Sequence, residues 1–151
     1  MNINTLTIKA QELLQSAMAT ARNNKQQALE PLHILHAAIA DDNSVGSYLL
    51  GRVGVNIATL RKEVDEALSH LPRVDGGDDN VYFSREASAV VQRAVDLTRT
   101  LSDRYASVEH LVAALAKERS AARDILHRAG VSEEQVITAI REFRKGQTID
   151  S

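Results

Sequence analysis

The chain has 151 residues, 44% hydrophobic and 25% charged, with a formal net charge of −2 and a pI near 6.2. That balance argues against a nucleic-acid domain, whose basic face usually carries the pI above about 9. With no cysteine and 3% aromatic residues, a disulfide framework and thiolate chemistry are excluded, and the core must be built from Ala, Leu, Val and Ile.

The chain opens on Met1-Asn2-Ile3-Asn4-Thr5, with no basic, apolar leader pattern. Thr7 is placed to cap a first helix, in which Ala10, Leu13, Leu14, Ala17, Met18 and Ala21 form one stripe at helical spacing. That helix is expected to end near Asn23-Asn24. Pro31 suits the first turn of a second helix, expected over residues 31–40. Asp41-Asp42-Asn43-Ser44 reads as a turn, followed by a helix over residues 45–53 closed by Gly54. Asn56 caps a fourth helix with Ile57, Leu60, Val64, Ala67 and Leu68 on one face. Residues 71–82, with Pro72, Gly76, Gly77 and three Asp among them, read as a flexible, exposed linker. Beyond it, Ser84 caps a fifth helix whose stripe is Ala87, Val90, Val91, Ala94 and Thr98, widened by Leu97 and Leu101. Ser107 and Ser120 cap the sixth and seventh helices, and Gly130 closes the seventh. Ser132-Glu133-Glu134-Gln135 is a capping box for the eighth, with Val136, Ile137, Ile140 and Phe143 on its apolar side. No apolar stretch reaches the roughly 18 residues of a membrane span, and strand patterns are absent.

The second half repeats the first. Glu30-Pro31-Leu32-His33-Ile34-Leu35 returns as Ser107-Val108-Glu109-His110-Leu111-Val112, with His33 and His110 separated by 77 positions. The same interval carries Ala10 to Ala87, Ala17 to Ala94 and Ala37 to Ala114. It then becomes 76, carrying Leu50 to Leu126, Gly54 to Gly130 and Glu66 to Glu142. A tandem duplication with one residue lost explains both intervals. The predicted fold is all-α, eight helices as two four-helix units. Repeat one is residues 5–70 and repeat two is residues 83–143, forming one domain over 1–143, with 144–151 as the start of a further linker.

Few constellations suggest chemistry. Gly46-Ser47-Tyr48-Leu49-Leu50-Gly51-Arg52-Val53 falls short of a phosphate loop, because Arg52 and Val53 stand where Lys and Ser or Thr are needed. Glu30-x-x-His33 with His36 matches part of a helical di-iron site. The second copy offers Ser107 and His110 instead, breaking the pattern a dinuclear metal requires. His33 and His110 are therefore read as helix-entrance residues hydrogen-bonded locally. His70 and His127 are read as helix-end residues, and Arg141, Arg144 and Lys145 as a solvated helix end. No nucleophile-and-base set is evident, so no enzyme is expected.

The doubled pattern resembles the N-terminal domain of Clp-family AAA+ ATPases. The features are Leu6-Thr7-Ile8-Lys9-Ala10-Gln11-Glu12, the Glu30-to-Leu35 motif and Val108-Glu109-His110-Leu111-Val112. Leu71-Pro72-Arg73-Val74, Val81-Tyr82-Phe83-Ser84 and Phe143-Arg144-Lys145-Gly146-Gln147 make it look most like the ClpB branch of disaggregating chaperones. The resemblance implies a cytoplasmic protein in which this domain precedes two hexamer-forming ATPase modules absent from the chain. ATP and magnesium would belong to those modules, with no cofactor and no metal in this domain. The implied partners are unfolded or aggregated polypeptides, and an Hsp70-type chaperone system met through the full-length protein, with no nucleic acid and no membrane. The isolated domain is expected to be a monomer. Clients are expected in a groove between the repeats. By matching motif positions, Thr7, Asp103 and Glu109 supply its polar groups and Val91, Leu97 and Leu111 its apolar lining. His110 falls within the set, although it and Arg93 stand where ClpB relatives carry apolar residues. The alternative is a ClpC- or ClpA-type unfoldase domain that docks folded adaptors.

Overall fold

The computed structural model describes residues 3–76, 80–145 and 149. After a 3-10 turn at Ile3–Thr5, the helices are α1 (Ile8–Asn23), α2 (Pro31–Ala38), α3 (Val45–Val53) and α4 (Ile57–Ser69). The second set is α5 (Arg85–Thr100), α6 (Val108–Leu115), α7 (Ala121–Arg128) and α8 (Glu133–Arg144). The expected caps are in place. Thr7 Oγ1 accepts from Ala10 N–H, and Ser84 Oγ from Ala87 N–H. Ser44, Asn56, Ser107, Ser120 and Ser132 do the same for their helices. Each cap satisfies a donor that the helix itself cannot.

The duplication is visible in the backbone. Gly54 and Gly130 close α3 and α7 with φ of +107° and +85°, a conformation that glycine adopts without steric penalty. Lys25 and Ser102, 77 positions apart, both take φ of 58° just after α1 and α5. The α1 stripe (Ala10, Leu14, Ala17, Ala21) and the α5 stripe (Ala87, Val90, Val91, Ala94, Leu97) are buried. Helices α2 and α6 are the centre. They pack against each other, and each reaches helices of the other copy. Every residue from Glu109 to Leu115 is buried, as expected of a helix apolar on nearly all sides. Helix α2 stops at Ala38, two residues before the expected end, where Gly46 brings the start of α3 against its last turn. A Cβ at Gly46 would collide with the Ala38 carbonyl oxygen.

The sequence shows no strand pattern, yet two short parallel pairings exist. Ala28–Leu29 (β1) pairs with Tyr82–Phe83 (β2), and Leu6 bridges Ala106. Two-residue strands are too short for alternation to register. The two pairings are reciprocal. Ser84 N–H donates to Leu29 C=O and Thr7 N–H to Ala106 C=O, at 3.0 and 2.9 Å. The segment entering each repeat's first helix is therefore clasped by the other repeat, just ahead of that repeat's second helix.

The inter-repeat segment is tied down where it is described. Val74 N–H donates to Lys25 C=O at 2.9 Å, and Leu71 and Val81 pack against the core. Residues 72–76 are exposed, as expected. Residues 77–79 lie outside the described residues, and so do 146–148, 150 and 151 of the expected onward linker. Arg144 differs from its sequence reading as a solvated residue at the start of that linker. It is the last residue of α8, and its side chain is only 7% exposed. Among the described residues, no helix is long and apolar enough to cross a membrane.

Candidate functional site

Three helix entrances meet on the seam between the copies. Thr7 and Ile8 start α1, Val45 starts α3, and Ser107, Val108 and Glu109 start α6. Between them lies an open cavity of about 370 Å³, completed by Lys9 and Ile149. Its walls are mainly the aliphatic side chains of Ile8, Val45, Val108 and Ile149. Ile8 is 74% exposed, the most exposed large hydrophobic residue among those described. It sits off the buried stripe of α1, so it contributes nothing to the core. An apolar cavity with a polar rim is the ordinary form of a binding site.

Behind the rim is a buried charge network. Arg144 Nε donates to Glu109 Oε2 at 2.7 Å, and Arg144 Nη1 to both Asp103 oxygens at 2.7 and 2.6 Å. His110 Nε2 lies 2.7 Å from Asp103 Oδ2. The Ser107 N–H donates to His110 Nδ1 at 2.8 Å, which places the imidazole proton on Nε2, facing the carboxylate. Burial holds the His110 pKa down at about 4, against the opposing pull of Asp103. Burial likewise raises the Glu109 carboxyl, with Arg144 countering. The network ties α8 to the start of α6 and fixes the rim carboxylate in place.

His33 repeats the arrangement in copy one. Its Nδ1 accepts the Glu30 N–H at 2.9 Å, and its Nε2 donates to Gln26 Oε1 at 2.7 Å. Burial lowers its pKa. Both ring nitrogens are engaged, so the lone pair a metal would need is already used. His36 faces Asp65 at 3.5 Å instead. Among the described residues, no cluster of three or more potential ligands could hold a metal ion. The Gly46-to-Val53 segment that approximates a phosphate loop is α3 itself.

Thr7 and Glu109, expected in the groove, line the cavity together, and the buried Asp103 carboxylate is joined to Glu109 through Arg144. Val91, Leu97 and Leu111 are core residues no more than 1% exposed, and His110 is fully buried. None of the four lines the cavity. Arg93 lies elsewhere, paired in bidentate fashion with Glu133 at 2.9 and 2.6 Å, and its pKa is raised by that carboxylate. The lining residues that sequence reasoning did not assign to the groove are Ile8, Lys9, Val45, Ser107, Val108 and Ile149. Ile8 was detectable as an apolar residue at the first position of its helix, out of phase with the core stripe, whereas Val108 continues the spacing of Leu111, Val112 and Leu115 and packs in part against the core.

The family model described as the Clp repeat (R) N-terminal domain matches residues 5–129. The chain is 39% identical over its whole length to the chaperone protein ClpB of Porphyromonas gingivalis. It is 36% identical, again over its whole length, to that of Bacteroides thetaiotaomicron. It spans only 17% of the length of either relative. Among solved structures, the Hsp104 N-terminal domain of Candida albicans superposes with a TM-score of 0.84 at 26% identity. That match covers 97% of this chain and 95% of the other.

Proposed function

Because the chain belongs to the Clp repeat N-terminal domain family, we propose that it is the client-binding domain of a cytoplasmic, ClpB-type ATP-dependent disaggregase. Clients are unfolded or aggregated polypeptides, and the seam cavity takes an apolar side chain from an extended segment. The supporting observation is an aliphatic cavity at the junction of the two copies, flanked by Ile8, which is exposed without serving the core. Burying one aliphatic side chain stabilises a complex by about 1.5–3 kcal/mol, or roughly ten- to a hundredfold in affinity. That is weak and tolerant of sequence, which suits a domain that must release its client. The ATPase modules, their hexamer and the cooperation with an Hsp70-type system belong to the same proposal for the longer protein.

Ile8→Asp and Val108→Asp test it. Both replace the first residue of a helix, where a carboxylate favours the helix dipole. Ile8 is exposed, so its variant keeps the fold while the cavity gains charge. Val108 packs in part against the core, so its variant is compared at matched folded fraction from a urea unfolding curve. Binding of a reduced, carboxymethylated and permanently unfolded model protein is expected to weaken at least severalfold in each. If both variants bind as tightly as the unsubstituted domain, the cavity is not the site. A saturable complex with one folded protein, and none with the unfolded chain, would move the reading to adaptor docking of the ClpC or ClpA kind.

A further inference from the structure

The cavity is already in contact with a residue of this same chain. Ile149 lies five positions beyond the last residue of α8, and its half-buried side chain forms part of the cavity wall. Both of its main-chain groups are held. Its N–H donates to Asp103 Oδ1 at 2.7 Å, and its C=O accepts from Arg104 N–H at 2.7 Å. Asp103 is fixed for this task, because Arg144 grips both its oxygens and His110 faces the second. An aliphatic side chain turned to the same cavity as Ile8, Val45 and Val108, with its own N–H and C=O gripped by adjacent residues 103 and 104, is how an extended peptide would be bound. Nothing in that arrangement selects a sequence beyond one aliphatic residue.

We propose that Ile149 is an intramolecular ligand of the seam cavity, occupying the place that an aliphatic residue of an extended client segment takes over. The inference rests on the client-binding reading for its competitor, while the seating of Ile149 is independent of it. Ile149 and the client then exclude each other. A site occupied nine-tenths of the time by its own chain binds a competitor about tenfold more weakly than an empty one. Occupancy by Ile149 therefore sets a threshold that short or polar segments do not pass.

The test has two arms on the 151-residue chain. In the first, methyl nuclear Overhauser effects are sought between Ile149 and Val108 or Val45. In the second, the reduced, carboxymethylated model protein is titrated against the unsubstituted chain, Ile149→Asp and Ile149→Leu. The proposal expects the cross-peaks, a rise in affinity of about threefold or more for Ile149→Asp, and little change for Ile149→Leu. Cross-peaks with no client binding in any variant would leave Ile149 as the cavity's ligand and defeat the client-binding reading alone. Absent cross-peaks would overturn the proposal. So would client binding that Ile149→Asp leaves unchanged, with client binding itself then standing.

Discussion

Gln26 and Asp103 stand 77 positions apart at equivalent places in the two copies. Each presents a side-chain oxygen 2.7 Å from Nε2 of the histidine that opens the following helix, His33 in one and His110 in the other. The third partner differs. Gln26 Nε2 donates to the Leu68 carbonyl at 3.3 Å, whereas Asp103 receives the Arg144 guanidinium. Arg144 occupies the place of Leu68 in the second copy, and Glu109 that of Leu32. One neutral, apolar corner has thus become a buried ionic one, and it is the corner that backs the cavity.

Removing one member of that corner is expected to cost more than removing all of it. Arg144→Ala strands two buried carboxylates and should destabilise the domain by about 3–5 kcal/mol. Replacing the set with the copy-one residues, Asp103→Gln, Glu109→Leu and Arg144→Leu together, should recover most of the loss. Urea unfolding of the two variants measures both. A loss below about 1 kcal/mol for Arg144→Ala would mean the network does not hold α8 in place.

Acid should weaken the fold through its histidines. His110 has a folded pKa of about 4, below its unfolded value near 6.5. Between those values the unfolded chain binds the extra proton, so stability is complete above about pH 6.5 and falls as pH drops towards 4. The size of this effect is about 3 kcal/mol, from roughly 1.4 kcal/mol per pKa unit. His33, also lowered, adds in the same direction. Glu109 opposes them. Its raised pKa gives stability that is present below about pH 4.5, its unfolded value, and is lost as pH rises through the folded value. Denaturant midpoints from pH 7 to 4 should decline, and less steeply in His110→Gln. An identical slope in that variant would remove His110 as a cause.

Gly46 should tolerate no side chain. Gly46→Ala pushes a methyl group into the Ala38 carbonyl, and the helices can separate only by disturbing the α2–α3 turn. A loss of about 1–3 kcal/mol is expected, read as a lowered thermal midpoint. Gly51 lies in the same helix with open space beside it. Gly51→Ala should be neutral or stabilising by up to about 1 kcal/mol, and equal behaviour of the two would contradict the packing.

The helices were legible because their signals are local. Apolar residues recur at helical spacing, and Thr7, Ser44, Ser84, Ser107 and Ser132 each precede a helix they cap. The strands were not, since Leu29 and Phe83 meet across the two copies and carry no alternation of their own. The lining of the seam cavity was legible only in part. Thr7 and Glu109 sit at helix entrances that the motif marks, but Val91, Leu97 and Leu111 lie on stripes that point inward. An apolar residue on the core stripe and one at a cavity look alike until the helix is rotated into place. Arg144 read as solvated because a basic residue at a helix end usually is. Only its distant partners, Asp103 and Glu109, make its burial tolerable.

The reciprocal clasps at Leu6–Ala106 and Leu29–Phe83 bear on ancestry. An ancestral half with a single copy would carry both the lead-in segment and the edge that receives it, yet in this geometry the two never meet within one copy. Without water, it could satisfy those main-chain groups by trading them with a second molecule like itself. Two such molecules joined end to end would keep both exchanges within one chain, as Leu6–Ala106 and Leu29–Phe83 do here.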